Sequence, residues 1–465
     1  MTVVSLGAGR SDTRVVEAAT RADQAAVRAL LRTGADVNAP QGDGATALHW
    51  AAHWDDQVMA DMLLGAKAAV NATNDLGVTP LWLACLNGSR TMVDKLLKAG
   101  ANPNLALQSG ETPLMTAART GNAEVVKLLV ARGADVNAHE NFEGQTALMW
   151  AIEQQQSPVV SVLLEAGADV HARSHMRPRR VNTQLGGFDP GTTMDIELGG
   201  YTPLLFAARQ GELASVRLLV AAGADTNETA PEGTSALVVA AHSGHEAVGA
   251  LLLEKGADPN AAGAGYTALH AAILRGEVEL ARGLLAHGAD PNTPLTKATP
   301  VRRASADYAL EFDLVGATPF WLAARFLQPA ILDALAMKGA DPLFVMKDGT
   351  TPLMAALQAR RRVEPGLTAD PIEDERIALQ AITVAVDRGV DVNASNEDGT
   401  TALHIAASRR LTRIVQFLVE RGAAVDARNA KGQTPLALAS GGASPAAANG
   451  PNPTADLLRK LGAKE

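Results

Sequence analysis

A short apolar phrase returns along the chain at nearly constant spacing, and a polar turn phrase follows most of its copies. The apolar phrase reads TALHWAA at Thr46, TPLWLAC at Thr79, TPLMTAA at Thr112 and TALMWAI at Thr146. Further copies begin at Thr202, Ser235, Thr267, Thr318, Thr351, Thr401 and Thr434. Thr46 and Thr79 are 33 residues apart, and so are Thr79 and Thr112. A period of this length predicts a solenoid, in which each repeat packs only against its neighbours.

Each repeat carries the signals of two helices and a turn. Threonine at the head of the phrase can cap the first helix, and proline suits the first helical turn because its missing N–H has no partner there. The second helix carries apolar runs such as Val125–Val130, and Gly133 can end it with a left-handed backbone. Asp135 and Asn137 then favour a turn, so the pattern predicts two helices followed by a protruding finger.

With eleven copies of this phrase, the chain resembles the ankyrin repeat family over nearly its whole length. The resemblance implies two antiparallel helices per repeat and a β-hairpin finger set roughly perpendicular to them. The expected fold is an all-α solenoid of about twelve stacked repeats, continuous over residues 1–465. Residues 12–38 would form an N-terminal cap repeat, because they lack the TPLH phrase and their exposed first helix is polar, and 434–465 would form the C-terminal cap repeat.

Three insertions interrupt the period. Those at 172–199 and 293–316 follow the turn phrase, so they should enlarge two fingers. The insertion at 360–376 should lie between the two helices of its repeat and emerge at the end opposite the fingers. A smaller departure is Lys67, which stands where other repeats have glycine and should therefore adopt a left-handed backbone.

Composition excludes several classes of function. The net charge of −9 argues against a general nucleic-acid binder, and no run of eighteen apolar residues predicts a membrane span. The single cysteine, Cys85, excludes an internal disulfide and is expected to be buried. Residues 1–9 look like the remnant of an export signal, which bacterial proteins of the resembled family often carry. A periplasmic or secreted location is therefore expected, with the cytoplasm as the alternative.

The candidate binding residues are expected to line a groove formed by the first helices and the fingers. On those helices they are Trp50, His53, Trp54, Arg119, Trp150, Phe206, Arg209 and Arg325, and on the first enlarged finger they are Arg179 and Arg180. Large aromatic rings with interspersed arginines are favoured at binding hot spots. Two alternatives stay open: the rings pack between neighbouring helices, or the arginines of the enlarged finger are solvated and pair with nearby acids.

No pattern in the chain indicates catalysis. Nucleophile elbows, phosphate-binding glycine loops and cysteine pairs are all missing from the sequence. His49 and His53 have helical i, i+4 spacing, but zinc would need a third ligand, and the resemblance makes His49 a structural residue. We therefore expect no metal and no cofactor, and a non-enzymatic scaffold that binds another protein. The alternatives are an enzyme or accessory with a pocket under 172–199, and a groove for a small or anionic ligand. The sequence fixes neither the partner nor the oligomeric state.

Overall fold

The computed structural model describes residues 12–182, 193–299, 309–359, 370–441 and 452–464. Contacts between these residues divide the chain into two compact units. The first unit comprises Met1–Pro178 and Glu197–Asp225, and the second comprises Arg179–Ile196 and Thr226–Glu465. The suspected signal at 1–9 lies outside the described residues.

The described part of the first unit contains six helix pairs, each with a helix of seven or eight residues followed by one of nine. The pairs are α1 Arg14–Thr20 and α2 Gln24–Arg32, α3 Ala47–His53 and α4 Gln57–Gly65, α5 Pro80–Leu86 and α6 Arg90–Lys98, α7 Pro113–Thr120 and α8 Ala123–Ala131, α9 Ala147–Glu153 and α10 Ser157–Glu165, and α11 Pro203–Gln210 and α12 Leu213–Ala221. First helices pack on first helices and second helices on second helices, as a solenoid requires.

The described part of the second unit also contains six helix pairs. They are α13 Ala236–Ser243 and α14 Glu246–Glu254, α15 Ala268–Arg275 and α16 Val278–Ala286, α17 Pro319–Arg325 and α18 Pro329–Met337, α19 Pro352–Gln358 and α20 Pro371–Asp387, α21 Ala402–Ser408 and α22 Thr412–Glu420, and α23 Pro435–Gly441 and α24 Pro453–Lys460. The all-α solenoid of about twelve repeats is thereby confirmed.

The helices begin where the sequence predicts. The Thr79 hydroxyl accepts the Trp82 amide at 3.1 Å, and Pro80 occupies the first helical turn. The alanines of the phrase, such as Ala51 and Ala52, are fully buried between neighbouring first helices. Because alanine lets helix backbones approach closely, the core needs few aromatic rings. Cys85 is buried among them, as expected, and burial raises the pKa of its thiol.

The histidine of the phrase joins one repeat to the next. The His49 Nδ1 accepts the Thr46 amide at 3.0 Å, and its Nε2 donates to the Val78 carbonyl of the following finger at 2.9 Å. Trp321 occupies the same slot in its repeat and makes the equivalent bond, from Nε1 to the Thr350 carbonyl at 3.0 Å. Packing is therefore the role of Trp321, which is buried.

Asparagines of the turn phrase form a second connection between repeats, which we call the asparagine ladder. Asn71 donates from Nδ2 to the Gly100 carbonyl at 3.1 Å and accepts the Asn102 amide at 2.8 Å. The same pair of bonds is made by Asn104, Asn137, Asn227, Asn260, Asn292 and Asn393. Since each bond satisfies backbone groups of the next repeat, the ladder holds the fingers in register.

The insertions adopt different structures. The first continues its finger as a two-stranded sheet of β1 Arg177–Asn182 and β2 Thr193–Leu198. The second closes on itself where the Thr299 amide donates to the Leu310 carbonyl, and it contains a 3-10 turn at Phe312–Leu314. The third overlaps α20, whose 17 residues begin at Pro371. Within the described ranges, no helix is both long and apolar enough to cross a bilayer.

Candidate functional site

Seven of the predicted binding residues lie in the first unit, on the surface where the first helices meet the fingers. Contacts between finger and helix define this surface, which we call the inner face. The Trp50 indole donates from Nε1 to Gln41 at 3.1 Å, and Gln145 donates to Glu153 at 3.3 Å. In each contact the glutamine lies on the finger, and its partner lies on the first helix of the same repeat. Side chains of both elements therefore share one surface.

Three aromatic residues at the end of α3 form what we call the aromatic cluster, namely Trp50, His53 and Trp54. The two indole rings are stacked with their centroids 6.1 Å apart, and the His53 ring meets Trp54 edge-on at 4.6 Å. Trp50 is half-buried, whereas Trp54 is 49% exposed. Ring contacts fix these side chains before any partner arrives, so little conformational entropy remains to be lost on binding.

Arg119 and Trp150 form a second contact on the inner face. The guanidinium carbon of Arg119 lies 5.2 Å from the centre of the Trp150 ring, within the range of a cation–π interaction. Glu111 pairs with Arg119 at 3.4 Å and also accepts the Thr116 hydroxyl at 2.8 Å. The Trp150 Nε1 is buried and has no hydrogen-bond partner among the described residues. The arginine is thus held over the ring, and its charge is offset by a neighbouring carboxylate.

Arg209 and Phe206 form a third contact, built in the same way. Arg209 lies 4.9 Å from the Phe206 ring centre and 5.8 Å from that of Tyr201, and it pairs with Glu153 at 2.9 Å. Phe206 is only 4% exposed, because Arg209 and Tyr201 cover it. Phe206, which the sequence predicts to line the groove, is thus covered by its neighbours.

The remaining predicted residues lie in the second unit. Arg179 and Arg180 belong to β1; Arg180 is exposed, and the side chain of Arg179 lies outside the described residues. Arg325 is half-buried on α17 and donates to the Gln358 carbonyl at 3.3 Å. These three are accordingly not part of the inner face of the first unit.

Sequence reasoning missed several exposed apolar residues on the fingers. Leu76 is 66% exposed and Phe142 is 63% exposed, with the Arg177 guanidinium 3.6 Å from the Phe142 ring centre. The signal was a single large apolar residue inside an otherwise polar turn, as in NDLG and ENFEG. Leu86 on α5 is 39% exposed at the position that His53 holds on α3.

The two histidines with helical spacing have separate environments. His49 is buried, and burial lowers its pKa, while His53 is exposed in the aromatic cluster. No group of three ligand-type side chains that could hold a metal ion is found among the described residues. His49 is therefore accounted for by packing and capping, and His53 by its ring contacts.

Comparison with known proteins gives one consistent family. The family model "Ankyrin repeats (3 copies)" matches residues 15–106, 92–174, 178–262 and 204–295, and "Ankyrin repeats (many copies)" matches 386–439. Together these matches cover more than half of the chain.

Two curated relatives are similar over short stretches. An ankyrin repeat-containing protein of Treponema pallidum (strain Nichols) is 39% identical over 106 residues, which is 22% of this chain and 36% of the relative. The ankyrin repeat and KH domain-containing protein mask-1 of Caenorhabditis elegans is 32% identical over 166 residues, which is 35% of this chain and 6% of the relative. The chain thus spans well under two thirds of either relative.

Proposed function

The chain belongs to the ankyrin repeat family, whose repeats serve in general as protein-interaction modules, and from this premise we propose that it is a non-enzymatic protein-binding scaffold. The proposed binding surface is the inner face of the first unit. Trp54, Arg119 and Arg209 are its exposed anchors, and Trp50, Trp150 and Phe206 support them from below. His53 completes the aromatic cluster beside Trp54.

One observation carries the proposal: the large side chains of the inner face are already held by contacts within the protein. Arg119 is fixed by Trp150 and Glu111, and Arg209 by Phe206 and Glu153. Exposed aromatic and arginine side chains that are held in place lose little freedom on association, which is how binding hot spots gain affinity.

The enzymatic alternative has less support. A catalytic carboxylate in a pocket under 172–199 would be Glu153, Asp189 or Asp195, and Glu153 is engaged by Arg209 and Gln145. Asp189 and the side chain of Asp195 lie outside the described residues. An anionic ligand would meet arginines that already have acidic partners on the inner face, so we favour a protein.

The experiment is a quantitative pull-down from the source cell with three forms of the full chain. The test variant carries Trp54→Ala, Arg119→Ala and Arg209→Ala. The control variant carries Val58→Ala, Lys127→Ala and Arg132→Ala, which remove one exposed apolar and two basic side chains from the second helices or their ends. We expect the parent and the control to recover partners that the test variant loses. Equal recovery by all three forms would remove the inner face as the binding surface.

A further inference from the structure

The N-terminal part of the inner face combines exposed apolar side chains from two neighbouring helices. Asn87 donates from Nδ2 to the carbonyls of Ala52 at 3.0 Å and His53 at 2.8 Å, which holds the ends of α3 and α5 together. Leu86 precedes Asn87, and Trp54 follows His53, so the two side chains stand at adjoining helix ends. Both are well exposed and offer a contact for one bulky apolar residue.

The fingers that lead into the first helices of this part of the chain are acidic. The four finger segments 34–46, 67–79, 100–112 and 133–146 contain seven acidic residues and one lysine. Asp43 and Asp75 are exposed on neighbouring finger tips, where the Asp75 amide donates to the Asp43 carbonyl at 2.9 Å. The Ala45 amide, which donates to the Asp43 carboxylate, lowers the pKa of that carboxyl, so it stays ionised at neutral pH.

Positive charge on the inner face does not offset this acidity. Arg119 and Arg209 lie further along the first unit and pair with Glu111 and Glu153. Lys67 stands at the start of its finger, two residues after the end of α4, and not at the tip. The N-terminal part of the inner face therefore carries exposed apolar side chains on its first helices and acidic side chains at its finger tips.

We propose that this surface binds a linear basic segment of the partner protein. One bulky apolar residue of the segment packs on Trp54 and Leu86, and lysines or arginines on either side pair with Asp43 and Asp75. A basic side chain also gains a cation–π contact on the open face of Trp54. The assignment rests on the proposed scaffold function and adds the chemical class of the partner, through charge complementarity that steers association.

Selection from a displayed library of random linear peptides on the full chain tests the assignment. The expected binders carry several lysines or arginines around one Trp, Phe, Leu or Met, and their affinity falls as salt is added. Enrichment of acidic or uncharged peptides would overturn the basic class of partner. Failure to enrich any peptide would overturn recognition of a linear segment.

Matched variants then locate the binding of one selected peptide. Asp43→Asn with Asp75→Asn should weaken it about two- to tenfold and flatten its salt dependence. Glu124→Gln with Glu165→Gln makes the same change in net charge on the second helices α8 and α10, and should change the affinity by less than about twofold. Trp54→Ala should weaken binding by about tenfold or more. Equal effects of the two charge variants would contradict pairing at the finger tips.

The two proposals fail in different ways. If acidic or neutral peptides are selected and Trp54→Ala still releases them, the scaffold proposal stands and the basic class of partner is wrong. If neither Trp54→Ala nor the triple variant of the inner face changes any binding, both proposals are wrong.

Discussion

Lys67 shows how far one residue can be understood from its neighbours in the repeat pattern. Its φ angle is +65°, as its place at a glycine position predicts. A left-handed backbone costs a residue with a Cβ about 1–2 kcal/mol, and glycine would remove this cost. The unfolded chain of the glycine variant is more flexible, which offsets about half of that gain. Lys67→Gly should therefore raise the free energy of unfolding by about 0.5–1 kcal/mol, measured by urea denaturation.

The opposite change at an equivalent position is the control for Lys67. Gly133 has a φ angle of +82°, and a Cβ added there would meet no atom within 4 Å. Gly133→Ala should therefore destabilise through the backbone alone, by about 1 kcal/mol. No change in either variant would mean that the backbone relaxes at these positions.

His270 should make the stability of the second unit depend on pH. It is fully buried in the histidine slot, and burial lowers its pKa to about 4. Its Nε2 has no hydrogen-bond partner among the described residues. The nearby Thr293 backbone raises the pKa, but less than burial lowers it. Between about pH 6.5 and pH 4 the unfolded chain takes up a proton that the folded chain excludes. The stabilisation is therefore complete above about pH 6.5 and is lost as pH falls towards 4, by roughly 2–3 kcal/mol.

The measurement compares urea unfolding of the parent and His270→Gln at pH 7 and pH 4.5. The loss of stability on acidification should be smaller in the variant, because glutamine does not titrate. Glu277 acts in the opposite direction, since burial raises its pKa to about 7 and its contribution is lost as pH rises through that value. It is present in both proteins and cancels in the difference. Parallel pH profiles would contradict the assignment to His270.

At the level of elements, the sequence predicts most helix starts but misses a cap supplied from elsewhere in the chain. Leu411 precedes α22 and has no capping group, yet the Glu375 carboxylate accepts the Arg413 amide at 2.9 Å. Glu375 lies within the predicted insertion 360–376, on the part of α20 that exceeds the usual nine residues. Repeat spacing reveals extra residues but not whether they extend a helix, since that depends on a tertiary partner.

The base of the first enlarged finger depends on Gly199. Its φ angle is +120°, and a Cβ there would overlap the His175 carbonyl oxygen. The surrounding bonds join Ser174 to Gly200 and Tyr201, with the Ser174 amide donating to the Tyr201 carbonyl at 3.1 Å. Gly199→Ala should force these two segments apart and speed amide exchange across 173–182 and 193–201 by about tenfold or more. Gly133→Ala shares the positive φ without the overlap, so unchanged exchange in both variants would contradict a requirement for close approach at Gly199.

For the whole molecule, the internal period was enough to predict the repeat architecture, because the same capping and core residues recur in every repeat. The candidate site was predicted less completely. The period predicts which positions face the fingers, and Trp50, Trp150 and Arg209 hold such positions. It could not show that Arg119 and Arg209 are neutralised by Glu111 and Glu153, because those pairs depend on distances between side chains.

The asparagine ladder gives the last prediction, because three repeats lack its asparagine, and in the last of these Asp426 holds the position. His171 holds that position before the first insertion, and Leu343 holds it before the third. Leu343 is 60% exposed and cannot make the ladder bonds to the repeat that follows. The finger tip of the Leu343 repeat is nevertheless in register with that of the following repeat, since the Glu397 amide donates to the Asp348 carbonyl at 2.9 Å.

Leu343→Asn should therefore supply the missing bonds, from its amide group to the Gly389 carbonyl and from the Asp391 amide to its oxygen. Two added hydrogen bonds at a partly exposed site should stabilise the second unit by about 1 kcal/mol, measured by urea unfolding. Leu343→Ala separates this gain from the simple removal of an exposed leucine, and Asn393→Leu breaks an intact step of the same ladder for comparison. If Leu343→Asn matches Leu343→Ala while Asn393→Leu is destabilising, the added asparagine does not form the ladder bonds and the prediction at Leu343 is wrong.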